Sequence, residues 1–131
     1  MLRTIPFFYE GIMPKKDKTL VSERLDFPYV ITEVRVDFAP ETRKMLQIKV
    51  FVCSDDEVPS SGEPFGYNVF EDFSQAPYIV GDEPLDVSVG FKVERPGTWI
   101  KVYGNNLDTF PKTLDVKVTI DMPEEYLPRY R

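Results

Sequence analysis

Alternating apolar and polar residues recur along much of the chain. The clearest case is residues 114–121, where Leu, Val, Val and Ile occupy every second position and Asp, Lys, Thr and Asp stand between them. The same period appears in residues 29–38, 45–53 and 85–93. A period of two points successive side chains to opposite faces of a β-strand, so each stretch predicts a strand with one face in a core and one in water.

The alternation also predicts which face of each strand is buried. The side chains expected to be buried are Val34, Val36, Leu46, Ile48, Val50, Val87, Val89, Phe91, Val116 and Val118. Those expected to be largely exposed are Glu33, Arg35, Lys49, Ser88 and Lys117. Within residues 29–38 the inward face would also include Val30, Thr32 and Phe38, and within residues 45–53 the outward face would include Phe51 and Cys53.

Proline and glycine punctuate the ends of these strands. Pro96 and Gly97 precede a weaker strand at residues 98–103, and residues 19–27 form a first modest strand that ends at Pro28. Proline and glycine favour turns over central strands, and no helical period of useful length is visible. The pattern predicts an all-β fold, a single antiparallel β-sandwich of about six to eight strands with a jelly-roll-like or Greek-key arrangement.

The pattern divides the chain into three parts. We expect an extended N-terminal arm at residues 1–18, the sandwich at residues 19–121 and a C-terminal tail at residues 122–131. Inside the sandwich, residues 54–84 contain only brief strand candidates, at residues 68–70 and 78–80. A connection of this length in a compact domain is usually functional or contains further strands.

The composition restricts the partners. With a net charge of -6, the protein lacks the basic surface that a nucleic-acid backbone requires. No apolar run has the length of a membrane helix, and Pro6 and Glu10 interrupt the apolar N-terminus, so it does not resemble a signal peptide. We therefore expect a protein of the cytoplasm, or of a virion assembled in a host cytoplasm. The scarcity of Asn and Gln and the 12 prolines lean towards a thermophilic source.

Catalysis is disfavoured because the chain contains no histidine, the commonest general base and metal ligand. Cys53, the single cysteine, has no histidine partner that would make it a nucleophile. A pair of carboxylates could hydrolyse glycosides, but acidic residues are too numerous for any pair to stand out. Oxygen-rich stretches at residues 55–57 and 105–108 could hold calcium, although acidic residues more often cap turns. We predict a protein that is not an enzyme and has no cofactor or metal.

Carbohydrate binding is one of two functions that the sequence leaves open. Sugars bind aromatic platforms beside planar polar groups, and sandwich domains often bind ligands through loops or a sheet face. Further aromatics at Phe65, Phe70 and Phe73 lie near acidic or amide residues. The candidate ligand-binding residues are Tyr67, Trp99, Tyr103, Asn105 and Asn106. The alternative for these aromatics is that Trp99 belongs to the core and the others hold the long loop to the body.

Structural self-assembly accounts for more of the chain and is the preferred hypothesis. Apolar side chains on flexible ends must be buried somewhere, and a neighbouring subunit is a common solution. The candidate interface residues are Ile5, Phe7, Phe8, Tyr9, Tyr126, Leu127 and Tyr130. A virion subunit of the capsid-decorating or head-fibre type would fit, with another copy or another structural protein as partner and a trimer slightly favoured over a dimer. The competing interpretation is that the ends add edge strands to their own sheets.

Overall fold

Eight strands form the body of the protein in the computed structural model, which describes residues 1–71 and 77–126. The strands are β1 (Leu2–Ile12), β2 (Asp17–Val21), β3 (Tyr29–Asp37), β4 (Leu46–Cys53), β5 (Tyr67–Asn68), β6 (Pro84–Val93), β7 (Trp99–Asn106) and β8 (Lys112–Asp121). Three single-turn 3-10 helices occupy Pro40–Thr42, Val69–Glu71 and Glu124–Tyr126. No helix in the described part of the chain is long and apolar enough to cross a membrane.

The strands form two antiparallel four-stranded sheets that pack face to face. Sheet I has the order β1-β8-β3-β6 and sheet II the order β2-β7-β4-β5. The first strand pairs with the eighth, the second with the seventh, the third with the sixth and the fourth with the fifth. This nested pairing, folded over into two sheets, is the jelly-roll arrangement. The prediction of an antiparallel β-sandwich is confirmed.

The core lies between the two sheets and follows the predicted parity in the central strands. Eight of the ten side chains predicted to form the core are buried, namely Val34, Val36, Leu46, Ile48, Val50, Val89, Val116 and Val118, whereas Val87 and Phe91 are only partly buried. These two lie on β6, which is an edge strand with a neighbour on one side only. Of the residues predicted outside, Ser88 is exposed, but the other four are half-buried rather than largely exposed. Three of the four, Arg35, Lys49 and Lys117, lie along the sheet surface in ion pairs with neighbouring carboxylates.

A β-bulge in β3 overturns the predicted parity of its first half. The pairing of β3 with both neighbours shifts between Ile31 and Glu33. As a result Tyr29 and Ile31 are buried, while Val30 and Thr32 are half-buried on the outer face. An extra residue in one strand reverses which side chains face the core, and a simple period of two cannot anticipate it.

The segment expected to be an N-terminal arm is instead strand β1, paired along its length with β8. Ile5 and Phe7 are buried in the protein's own core, and the N-terminal amine bonds Asp121 at 2.7 Å. The sandwich therefore begins at Leu2 rather than at residue 19. Inward-facing apolar residues alternate with outward-facing residues in this segment too. Pro6 does not prevent strand formation, because β1 is an edge strand and proline is tolerated there.

The long segment between β4 and β6 contains a short strand and an isolated β-bridge, both of which pair with β4. Strand β5 pairs with Phe51 and Val52 of β4, and Ile79 forms an isolated bridge with Ile48. The predicted tail begins at Met122, which is buried, and continues into the 3-10 turn at Glu124–Tyr126. Two predicted interface residues in that tail, Leu127 and Tyr130, lie outside the described residues, as does Phe73.

Candidate functional site: the loop-covered face of sheet II

Residues 54–66, the connection from β4 to β5, cover the outer face of sheet II. Trp99, Lys101 and Tyr103 of β7 face outward here, because Ile100 and Val102 between them lie in the core. These three side chains therefore lie side by side on one face of β7.

Phe51 and Cys53 correct the expectation of an exposed outer face on β4. Both point away from the main core, yet they are buried together with Tyr103 in a second, smaller apolar cluster. Gly66 allows the loop to approach this closely. Its φ is +154°, and a Cβ at this position would collide with the Cys53 sulfur and the Val52 carbonyl. The loop, rather than solvent, therefore covers the outer face of sheet II at these residues.

Lys101 anchors the loop from below and is almost fully buried. Its ammonium donates to the Asp55 Oδ1 at 2.9 Å and to the Glu57 carbonyl at 2.6 Å. An ion pair between Lys49 and Glu63 ties down the other part of the loop. Buried charges are stable only when paired and hydrogen-bonded, so the loop and the lysine depend on each other.

Asp17 of β2 provides the third attachment. Its Oδ2 accepts a hydrogen bond from the Tyr103 hydroxyl at 2.9 Å and another from the Gly62 amide at 2.8 Å. The loop is thus fixed to β2, β4 and β7 at once. Such a loop has a defined shape, which is what a binding surface requires.

The electrostatics follow from this packing. The hydrogen bond from Lys101, reinforced by the backbone amide of Glu57, lowers the pKa of Asp55. Burial raises the pKa of the Cys53 thiol, with Lys101 opposing the shift. Burial, and then the hydrogen bond to Asp17, raises the pKa of Tyr103. Cys53 is therefore a protonated, packed thiol rather than a nucleophile.

A cavity of about 330 Å³ opens between the loop and Lys101. Its lining residues are Asp55, Glu57, Val58, Pro59, Phe65 and Lys101. Phe65 is 87% exposed, the highest exposure among the large apolar side chains of the described chain. An exposed ring beside two acidic residues resembles the kind of surface on which a sugar can stack.

The residues predicted to bind a ligand do not form one site. Tyr67 is exposed but stacks on Phe91 at 5.0 Å between ring centres, across the edge of the sandwich. Trp99 is half-buried, with the Arg24 guanidinium 5.5 Å from its ring, and so is neither fully in the core nor free. These two aromatics have different neighbours and share no pocket.

The other three candidates are largely taken up by the fold. Tyr103 and Asn106 are buried and make internal hydrogen bonds, so they cannot contact a ligand in this conformation. Asn105 is half-buried at the end of β7. The sequence indicates Phe65 only as one of several loop aromatics. Nothing in the residues next to Lys101 in the sequence indicates that it binds the loop.

Each of the two stretches considered for calcium holds one carboxylate in ion pairs. Asp55 pairs with Lys101, and Asp108 pairs with buried Lys112 at 2.8 Å and with Arg43 at 3.3 Å. The hydrogen bond from Lys112, followed by that from the Thr109 amide, holds the pKa of Asp108 far below its ordinary range. Within residues 1–71 and 77–126 no cluster of three or more acidic or cysteine side chains could hold a metal ion.

The N-terminal interface candidates divide by the alternation of β1. Ile5 and Phe7 are already buried within the chain, which removes them from any intermolecular contact. Phe8 is 60% exposed on the outer face, and Tyr9 is half-buried with the Lys18 ammonium 4.6 Å from its ring centre.

Comparison with known proteins supports the fold. No known family model matches the sequence, and no curated protein sequence matches it. Among solved structures, a chain of the cryo-EM structure of Broad Bean Stain Virus is similar with a TM-score of 0.53 and 8% identity, over 100% of this chain and 94% of that one. At this identity the likeness shows the fold alone.

Two further likenesses have TM-scores below 0.5, which is too low to support an inference about this chain. One is to infectious bursal disease virus, Gx strain (TM-score 0.43, 10% identity, 96% of this chain and 33% of that one). The other is to the Yersinia pseudotuberculosis-derived mitogen (TM-score 0.38, 10% identity, 95% and 87%). The strand order and the first likeness together define the class of the protein: it has a capsid-like β-sandwich fold.

Proposed function

We propose that this protein is a non-catalytic structural subunit that works by self-association, as a component of a virion. The observation that carries the proposal is the match of the whole jelly roll, from end to end, to a chain of similar size in a virus structure. Jelly rolls are frequent among proteins that tile capsids.

Self-association through the two ends, as inferred from the sequence, takes a narrower form. Ile5 and Phe7 are buried within the chain and Tyr9 is half-buried, so of the N-terminal set only Phe8 stays exposed, and it is kept as a residue to test rather than as part of the proposed contact. The proposed contact retains the C-terminal tail with Tyr126, Leu127 and Tyr130. A closed homo-oligomer is the expected product, with a trimer the first candidate.

Light scattering on the full chain at micromolar concentration tests the proposal. An oligomer supports it, and a monomer over the whole accessible concentration range overturns it. A chain ending at Met122 and the variant Phe8→Ala then show which end takes part. Removing residues 1–17 is not a usable test, because that deletion takes away β1 and the core contacts of Ile5 and Phe7.

Carbohydrate binding at the Phe65 cavity is the second candidate function. The observation that favours it is the 87% exposure of the Phe65 ring at the rim of a cavity that also contains Asp55 and Glu57. A glycan array on the wild-type protein is the test, with Phe65→Ala expected to abolish any signal and Phe8→Ala expected to preserve it. A blank array, or a signal that survives Phe65→Ala, overturns this candidate.

A further inference from the structure

Three exposed apolar side chains lie together at one end of the sandwich. Met13, Leu107 and Phe110 are exposed, Phe110 by 59%. Asn106, next to Leu107, donates through its Nδ2 to the Met13 carbonyl at 3.3 Å and the Phe110 carbonyl at 2.8 Å. One buried amide thus brings the backbones of these three residues close together. We call Met13, Leu107 and Phe110 the Phe110 patch.

Cationic side chains surround the Phe110 patch in a protein whose net charge is -6. The Arg43 guanidinium lies 5.7 Å from the centre of the Phe110 ring, and the Lys15 ammonium donates to the Leu107 carbonyl at 2.6 Å. Lys16 is also exposed here, and Glu41 is the exposed carboxylate of the same rim. Aromatic and arginine side chains are the residue types enriched at protein interfaces.

The backbone beneath two of these cations is unusual. Lys15 has φ of 61° and Arg43 has φ of 50°, a region that side-chain-bearing residues adopt rarely and at some cost. Glycine or asparagine would fit both positions more easily. Both positions nevertheless carry long cationic side chains at the rim of the Phe110 patch.

A matching groove lies at the opposite end of sheet I. The bulge in β3 turns Val30 outward, and Pro28, Met122 and Pro123 complete an apolar cavity of about 390 Å³ around it. This volume can accept an aromatic ring. We call it the Val30 groove.

The rim of the Val30 groove is mainly acidic. Glu94 and Asp121 line it, and exposed Glu124 and Glu125 follow Pro123. Lys92 is the cation in the lining, and Asp121 also binds the N-terminal amine. A cationic apolar patch and an acidic apolar groove therefore exist on the same chain.

One copy cannot bring its own patch to its own groove. Strand β8 begins at Lys112 near the patch and ends at Asp121 beside the groove, and ten strand residues span roughly 30 Å. Two patches from two copies would bring like charges together, which opposes a symmetric contact. The complementary contact is head to tail between copies, which produces a ring if the rotation closes and a filament if it does not.

We propose that the Phe110 patch of one copy docks in the Val30 groove of the next copy. This inference rests on the proposed function, since it names the surfaces through which self-association occurs. Phe110 enters the groove, and Lys15, Lys16 and Arg43 meet the acidic rim. Association is weakened by salt, because the charges are at the rim of the contact.

Sedimentation velocity over a range of concentrations and salt tests this contact. Phe110→Ala is expected to raise the dissociation constant about tenfold or more, as for a central aromatic anchor. The matched control is Phe8→Ala, since Phe8 is 60% exposed and Phe110 is 59% exposed. The control is expected to change the constant by less than about twofold. Circular dichroism confirms that both variants are folded.

A mixing experiment distinguishes docking of patch into groove from a contact between two identical surfaces. Phe110→Ala disables the patch and leaves the groove intact, whereas Val30→Asp blocks the groove and leaves the patch intact. Each variant alone should be monomeric, and the equimolar mixture should form a dimer that grows no further. A mixture that stays monomeric overturns the proposal, as does association that Phe8→Ala weakens and Phe110→Ala leaves unchanged. A wild-type monomer would instead overturn the proposed function itself.

Discussion

Asn106 is predicted to be a structural residue whose loss destabilises a whole end of the sandwich. Its side chain is fully buried, and its Nδ2 donates to the Ile12 carbonyl at 2.9 Å and the Phe110 carbonyl at 2.8 Å. Its Oδ1 accepts from the Asp108 amide at 2.9 Å. The connections β1–β2 and β7–β8 are thereby joined through one side chain.

Replacement by leucine keeps the branched shape of the Asn106 side chain and removes all of these hydrogen bonds, and because leucine is larger it adds an overpacking cost. Three backbone groups lose their partner, and each buried unsatisfied group costs about 1–3 kcal/mol. The sum is about 3–9 kcal/mol, against a typical total stability of about 5–15 kcal/mol. The expected fall in melting temperature is at least about 10 °C for a domain of this size.

Urea and thermal denaturation followed by circular dichroism measure the effect. The control is Asn105→Leu, one position earlier on the half-buried outer side of β7, where a change of about 0.5 kcal/mol is expected. If Asn106→Leu lies within about 1 kcal/mol of the wild type, the hydrogen bonds are not what holds this end together, and the reasoning from orphaned backbone groups is refuted.

Three further predictions concern the loop, the acid stability and the bulge. Asp55→Ala should lower the melting temperature more than Lys101→Met does. The first variant leaves a buried ammonium without its carboxylate, whereas the second leaves only a half-exposed carboxylate without its cation. The opposite order would contradict the role given to Lys101. The pKa of Asp108 is lowered by folding, so its contribution is complete above its unfolded pKa, about 3.9, and is lost as the pH falls below it. Urea titrations at pH 7, 4 and 3 should show that the free energy of unfolding falls as the pH falls. The variant Asp108→Asn should show a smaller fall, and an equal pH dependence in the two proteins would refute the prediction. Val34→Asp should prevent folding while Val30→Asp is tolerated, as solubility and circular dichroism would show, and equal damage at both positions would contradict the bulge.

The central strands could be predicted from the sequence because their burial is decided locally. In β4 and β8 every second residue is apolar, so the same face of each strand would be buried whichever strands pair with it. The same reasoning failed in the first half of β3. There the register shifts against both neighbouring strands, and only the pairing reveals the shift.

The candidate site was less accessible to sequence reasoning. Lys101 reads as an ordinary outward lysine in an alternating strand, and nothing nearby in the sequence indicates that residues 54–66 will close over it. Asn106 was grouped with Asn105 as a candidate ligand residue, since adjacent amides look equivalent in a sequence. Their opposite orientations on β7 give one a structural role and leave the other partly open to solvent.

By itself the sequence determined an acidic, histidine-free antiparallel β-sandwich with its main strands and most of its core, because alternation and turn chemistry are local properties. The tertiary structure decided the rest. It assigned the N-terminal segment to an edge of sheet I, placed the long connection over the outer face of sheet II, and turned Val30 outward through the bulge. Each of these outcomes depends on partners distant in the chain, whose attraction is realised only when the two sheets come together.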